Sequence, residues 1–256
     1  MPREPEPSNI EKAFVLEALQ QGLRVDGRQL DEFRKVGISF GQEFGLADIK
    51  LGRTRVIARV SAEVTKPYPD RPFEGIFSIT TELGPIASPA FEVGRSTEQE
   101  VLLARLIEKA IRRSNAIDQE SLCIVADVSV EGEKVTIHTL TERVPVPLSI
   151  LHHPICVTFS FFHGGEMVLM DATLQEEQLR EGDMTITLNK HGEVCQISKA
   201  GGTAIEAVVL MRCATQALLV VRQVTELLMN KLEEDQAKRV RRDNLLEASA
   251  ENDRRA

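Results

Sequence analysis

The chain has 256 residues, 42% of them hydrophobic and 27% charged, and carries a net charge of −8. That length supports a substantial core in one large domain or two small ones. The acidic balance excludes a whole-surface polyanion binder of the histone kind but not a local basic stripe. Cys123, Cys156, Cys195 and Cys213 are scattered, with no CxxC spacing and no histidine cluster beside them, and indicate neither zinc nor a disulfide framework. No apolar run reaches bilayer length, and the charged, proline-rich stretch Met1–Ser8 does not read as a signal peptide.

Ser8 and Glu11 form a capping box, which predicts a first helix with Ile10, Phe14 and Ala18 at helical spacing and a stop at Gly22. Gly22 to Arg28 then reads Gly-Leu-Arg-Val-Asp-Gly-Arg, a tight-turn signal that holds Arg24 and Arg28 near one another. Three alternating segments follow: Val36/Ile38/Phe40, Ala47/Ile49/Leu51 and Val56/Ala58/Val60. The glycine turns between them predict an antiparallel meander. Lys66–Pro72 is too proline-rich for a strand, and Phe77, Ile79, Thr81 and Leu83 predict a fourth strand. Thr97 and Glu100 open a second helix to about Arg113, with Leu102, Leu103, Leu106, Ile107, Ala110 and Ile111 on its buried face. Leu122–Ala126 reads as a short buried strand, running without a turn signal into a hairpin tipped by Glu131-Gly132. Further strands are predicted at Ile155–Phe162, Met167–Met170, Met184–Leu188 and Val194–Ser198. A long helix after Gly201-Gly202 offers Ile205, Val208, Val209, Leu218, Val221, Val224 and Leu228 for burial. From Glu233 onward the chain is charged with both signs, a solvated helical extension or a disordered tail.

Three constellations bear on chemistry. Gly94-Arg95-Ser96-Thr97 sits at a helix mouth, where free N–H groups attract phosphate, although a plain capped helix explains the same residues. Together with Arg24, Arg28, Arg105, Arg112 and Arg113 it outlines a positive patch for an RNA backbone. The pair Arg24 and Arg28 reads equally as a surface turn paired to Asp26 or Asp31. Asp171-Ala-Thr-Leu-Gln-Glu-Glu177, after a strand, fits either a magnesium or general-acid site or the capped first turn of a helix. Ser198–Gly202 presents backbone N–H groups to an anion, or is simply a loop into a helix. No Walker loop, Rossmann fingerprint or nucleophile–base pair occurs.

Arg24-Val-Asp-Gly-Arg28, Gly52-Arg-Thr-Arg-Val56, Gly94-Arg-Ser96 and Asp171–Glu177, in this order, resemble the RNase PH family. Asp70–Gly75, Leu106–Ser114, Pro145–Leu148 and Pro154–Ser160 narrow the resemblance to its eukaryotic exosome ring branch. It implies an α+β, RNase PH-like fold of βα layers akin to ribosomal S5 domain 2, over about residues 8 to 236. The implied plan is an N-terminal helix (1–22), domain 1 (23–148), domain 2 (149–232) and a charged tail (233–256). Domain 1 is internally truncated: Ala126 joins directly to Asp127, where family members carry a further strand, turn and helix. That omission is expected to expose apolar faces of its neighbours.

The resemblance further implies a scaffold rather than a catalyst, in 3′ to 5′ RNA processing and degradation, in nucleus, nucleolus and cytoplasm. Its implied partners are other RNase PH-like ring subunits, S1/KH cap subunits, single-stranded RNA and hydrolytic nucleases docked on the ring, with no membrane, metal or cofactor. Arg105 and Arg112 match a helix from which related subunits contact RNA, with Arg95, Arg24 and Arg28 as further candidates. Two alternatives remain at this level: an active phosphorolytic exoribonuclease using Asp171, and a free-standing RNA-binding domain.

Overall fold

The computed structural model describes residues 7–92, 94, 96–123, 128–131, 134–137 and 148–253. In chain order it holds helix α1 (Asn9–Gln20), strands β1 (Val36–Phe40), β2 (Leu46–Leu51) and β3 (Thr54–Arg59), and helix α2 (Glu98–Arg113). Strands β4 (Val128–Glu131) and β5 (Lys134–Ile137), β6 (Ile155–Phe162) and β7 (Met167–Met170) follow. The short helix α3 (Leu174–Leu179), strands β8 (Gly182–Leu188) and β9 (Val194–Ser198), and helix α4 (Ala207–Asp253) complete it. The chain divides into two compact units: Met1–Glu32 with Glu63–Leu218, and Phe33–Ala62 with Leu219–Ala256.

In the first unit an antiparallel sheet has the order β7-β6-β8-β9. β6, β7 and β9 have the expected bounds and β8 starts two residues before the expected Met184; the centre of the sheet is dry, with Phe159, Phe161, Leu169 and Ile186 fully buried. Val15 and Leu19 of α1 form one cluster with Phe162 and Leu169, flanked by Leu16, Leu30, Met167 and Leu179. The capping box of Ser8 and Glu11 is present, but the expected stripe of α1 is corrected. Ile10 and Phe14 are 82% and 63% exposed. Two apolar stripes fit the helical period here, and the partner beneath selects Val15, Leu16 and Leu19 because they make the wider arc.

Helix α2 opens on Thr97 with both halves of its capping box. The Glu100 carboxylate also accepts from Leu83 N at 2.6 Å, and these backbone donors hold its pKa below the usual carboxylate range. The apolar face of α2 is only partly covered: Ala110 is buried, Leu106, Ile107 and Ile111 are half-buried, and Leu102 and Leu103 are exposed. The strand expected at Phe77–Leu83 is absent. The segment is tied by Thr81 Oγ1 to Glu100 O (2.7 Å) and by the Leu83–Glu100 bond, but it joins no ladder. Alternation marks which residues suit a strand; a strand exists only where a neighbour takes its N–H and C=O groups. Likewise Glu120–Leu122 forms a 3₁₀ turn instead of the start of a strand, and residues 124–126 lie outside the described residues. The hairpin is present, with β4 paired antiparallel to β5.

In the second unit β1, β2 and β3 form the expected meander, with Ile38 opposite Ile49 and Ile49 opposite Val56. Every position of β3 is exposed. Helix α4 is continuous to Asp253, so the charged segment from Glu233 is a helical extension. Arg239 fastens it to the β1–β2 turn, donating to Gln42 O (3.0 Å) and Gly41 O (2.7 Å), pairing with Asp235 (2.6 Å) and stacking over Phe44. By length and composition Ala207–Arg242 could cross a membrane, which the sequence reading had not recognised. Its Cys213, Ala217, Val221 and Thr225 are buried at four-residue spacing, one inward stripe on a helix whose other faces are largely uncovered. Val208, expected inside, is 76% exposed.

Candidate nucleic-acid interface

The turn after α1 is a junction of long-range ion pairs. The Arg24 side chain is fully buried and forks onto Glu176, Nε to Oε1 at 3.1 Å and Nη2 to Oε2 at 2.8 Å. Its remaining donors reach the carbonyl oxygens of Met170 (3.1 Å) and Asp171 (2.9 Å). Arg28, nearly as buried, bonds Asp171 Oδ2 at 2.9 Å and Asp26 Oδ2 at 2.7 Å. Asp171 takes a left-handed backbone, φ +51°, which turns its carbonyl and its carboxylate toward this arginine pair.

The Arg24–Arg28 turn is therefore a clamp between the N-terminal segment and the β7–α3 corner. Here the Arg24 and Arg28 guanidinium groups, expected to face RNA, are turned to internal carboxylates: the Arg24 side chain is buried on Glu176 and that of Arg28 sits on Asp26 and Asp171. The paired-carboxylate alternative is nearer, with Asp26 as anticipated and Asp171 and Glu176 in addition. Glu176 was legible only as the capping partner of Thr173, a role it also fills. Nothing local signals a partner 152 residues away.

Lys199–Gly202 lies in the loop between β9 and α4. Gly202 has φ +75°, and a Cβ there would meet Glu181 O at 2.5 Å, so glycine is needed for the loop to lie against the start of β8.

The α2 arginines are placed differently. Arg105, Arg112 and Arg113 are exposed on the helix. Arg105 and Arg112 lie seven residues apart, about 10 Å along one face. Arg112 pairs with Glu108 at 2.8 Å and donates to Phe77 O beside the Phe77 ring. It borders a cleft of about 340 Å³ that also takes in Tyr68, Asp70, Arg71, Glu74 and Gln119. The cleft places an exposed aromatic ring, Tyr68, and a further arginine, Arg71, paired to Glu74 at 3.1 Å, beside Arg112; the sequence had shown that segment only as a loop. Arg95 lies outside the described residues, so its place at the mouth of α2 is not described. An exposed stripe of arginines with an aromatic neighbour suits a sequence-blind contact with a nucleic-acid backbone.

The order of elements and these motifs define a class. The 3′ exoribonuclease family matches through its domain 1 over residues 32–136 and its domain 2 over residues 152–218, and the chain belongs to that RNase PH family. Within it the chain is similar to exosome complex component rrp45 of Schizosaccharomyces pombe, at 49% identity over 99% of this chain and 100% of the relative. It is also similar to the RRP45 component of Saccharomyces cerevisiae, at 43% identity over 93% of this chain and 95% of that one. Among solved structures, a chain of the Archaeoglobus fulgidus exosome with RNA bound to the active site superposes with a TM-score of 0.71. It is 28% identical, over 85% of this chain and 97% of its own. The match to the S. pombe relative runs over 292 residues against the 256 of this chain, so at least 36 matched positions have no counterpart here.

Proposed function

We propose that this chain is a structural, RNA-contacting subunit of an exosome core ring, acting in 3′ to 5′ RNA processing and decay, including rRNA maturation and mRNA turnover. Its partners are RNase PH-like ring neighbours, S1/KH cap subunits and the hydrolytic nucleases that dock on the ring, in nucleus, nucleolus and cytoplasm. The observation that carries this reading is the end-to-end match to an exosome component at 49% identity. The chain contributes no phosphorolysis of its own. Asp171, the acid the alternative requires, is turned into the Arg24–Arg28 clamp, and a general acid must instead reach a departing oxygen. Channel contacts fall to Arg105 and Arg112, with Arg95 as the next candidate.

We assign the positions of the S. pombe relative that have no counterpart here to the junction of Ala126 and Asp127 in the sequence. Co-expression with its ring neighbours followed by native mass spectrometry tests the reading. A hetero-oligomer containing this chain supports it, and a lone monomer overturns it. In an assembled ring, Arg105→Glu with Arg112→Glu is expected to shorten RNA protection while leaving assembly intact, because backbone contacts confer affinity without specificity. Unchanged protection removes these two residues from the path. Phosphate-dependent release of nucleoside diphosphates, lost in Asp171→Asn, would restore the catalytic alternative.

A further inference from the structure

The meander β1–β3 carries a charge pattern that the ring-subunit reading does not use. Residues 33–62 hold six basic side chains, Arg34, Lys35, Lys50, Arg53, Arg55 and Arg59, against two acidic ones, Glu43 and Asp48, in a chain of net charge −8. The register sorts them, because successive side chains in a strand point to opposite faces. The rows Val36/Leu51/Thr54, Ile38/Ile49/Val56 and Phe40/Ala47/Ala58 share one face. The rows Gly37/Lys50/Arg55, Ser39/Asp48/Ile57 and Leu46/Arg59 share the other. That second face collects Lys50, Arg55 and Arg59, and its β1 positions are Gly37 and Ser39, which leave the cations unobstructed. All three are exposed, as is Arg53 in the β2–β3 turn.

Asp48 is the one carboxylate on this face, and Arg55 takes it in a bidentate pair at 3.0 and 2.8 Å. Lys50, Arg53 and Arg59 have no ion pair among the described residues. Arg55 and Arg59 lie four residues apart on this face of β3, roughly 13 Å, about two phosphate spacings of an extended nucleic-acid strand, and Lys50 of β2 stands beside Arg55. The face has no aromatic ring on which bases could stack, which suits a backbone contact. A protein partner would need apolar anchors at its centre, and this face supplies only Leu46 and Ile57.

We propose that this face is a second binding surface for the sugar-phosphate backbone of single-stranded RNA, separate from the α2 arginines and blind to sequence; it rests on the RNA-contacting reading for the identity of the polyanion.

Fluorescence anisotropy of a labelled oligouridylate with the full chain, between roughly 50 and 200 mM salt, tests it. Three phosphate contacts at about 0.7 each predict that Lys50→Ser/Arg53→Ser/Arg59→Ser lowers the slope of log affinity against log salt by about 2. The expected loss of affinity at the lowest salt is at least tenfold. Lys50→Arg/Arg53→Lys/Arg59→Lys should keep both, and the single serine variants should show graded losses if the triple variant unfolds. Unchanged slope and affinity in the serine variants overturn the proposal. If Arg105→Glu/Arg112→Glu alone weakens binding, the ring-subunit reading stands and this one falls. If the serine variant keeps RNA but no longer enters the ring, the face is a protein contact and the proposal fails.

Discussion

The sheet β7-β6-β8-β9 and the meander β1-β2-β3 begin from the same kind of sequence, alternating apolar strands with glycine turns, and end differently. Ile186 of β8 is fully buried, whereas Val56, on the apolar face of β3, is 56% exposed. β8 has a paired strand on each side. β3 ends its sheet, and the next segment with strand-like alternation, Phe77–Leu83, forms no ladder. Alternation therefore qualifies a segment for a sheet, and the covering layer determines whether its side chains are buried. We propose that the positions the S. pombe relative has and this chain lacks include a cover for the apolar face of β3, whose exposed Val56 is what such a loss leaves behind.

Breaking the clamp should have the largest effect. Arg24→Met leaves the buried Glu176 carboxylate without its counter-charge and is expected to cost about 3–5 kcal/mol in urea unfolding. Arg24→Met with Glu176→Met should recover part of that, since the carbonyl oxygens of Met170 and Asp171 still lose their donor.

A matched pair of substitutions sharpens the comparison of the sheets. Ile186→Ala is expected to cost about 2–5 kcal/mol, and Val56→Ala less than about 0.5 kcal/mol, both read as shifts in the urea midpoint. Equal costs would mean that β3 is covered in solution. Grafting the unmatched segment of the S. pombe relative between Ala126 and Asp127 should slow amide exchange in β3 while leaving β8 unchanged. Unaltered β3 exchange would place the missing cover elsewhere.

The smallest effect is a pH dependence at α2. The folded pKa of Glu100 is lowered, so its contribution is complete above the unfolded value near 4.5 and is lost as pH falls through the folded value. Exchange at the start of α2 should accelerate under acid. Glu100→Gln keeps a capping oxygen and should flatten that response.

The sequence by itself determined every feature whose cause is local. The capping boxes at Ser8, Thr97 and Thr173 and the strands β6, β7 and β9 were legible because short-range hydrogen bonding and alternation decide them. So was the arginine stripe of α2, since helical spacing alone puts Arg105 and Arg112 on one face. Tertiary structure decided which of two stripes on α1 turns inward, because each satisfies the same period and only the β6–β7 surface distinguishes them. It decided that Arg24 and Arg28 face inward, because their partners lie about 150 residues along the chain. It also decided that Phe77–Leu83 is no strand: a ladder needs two chains side by side, and no single segment carries the address of its neighbour.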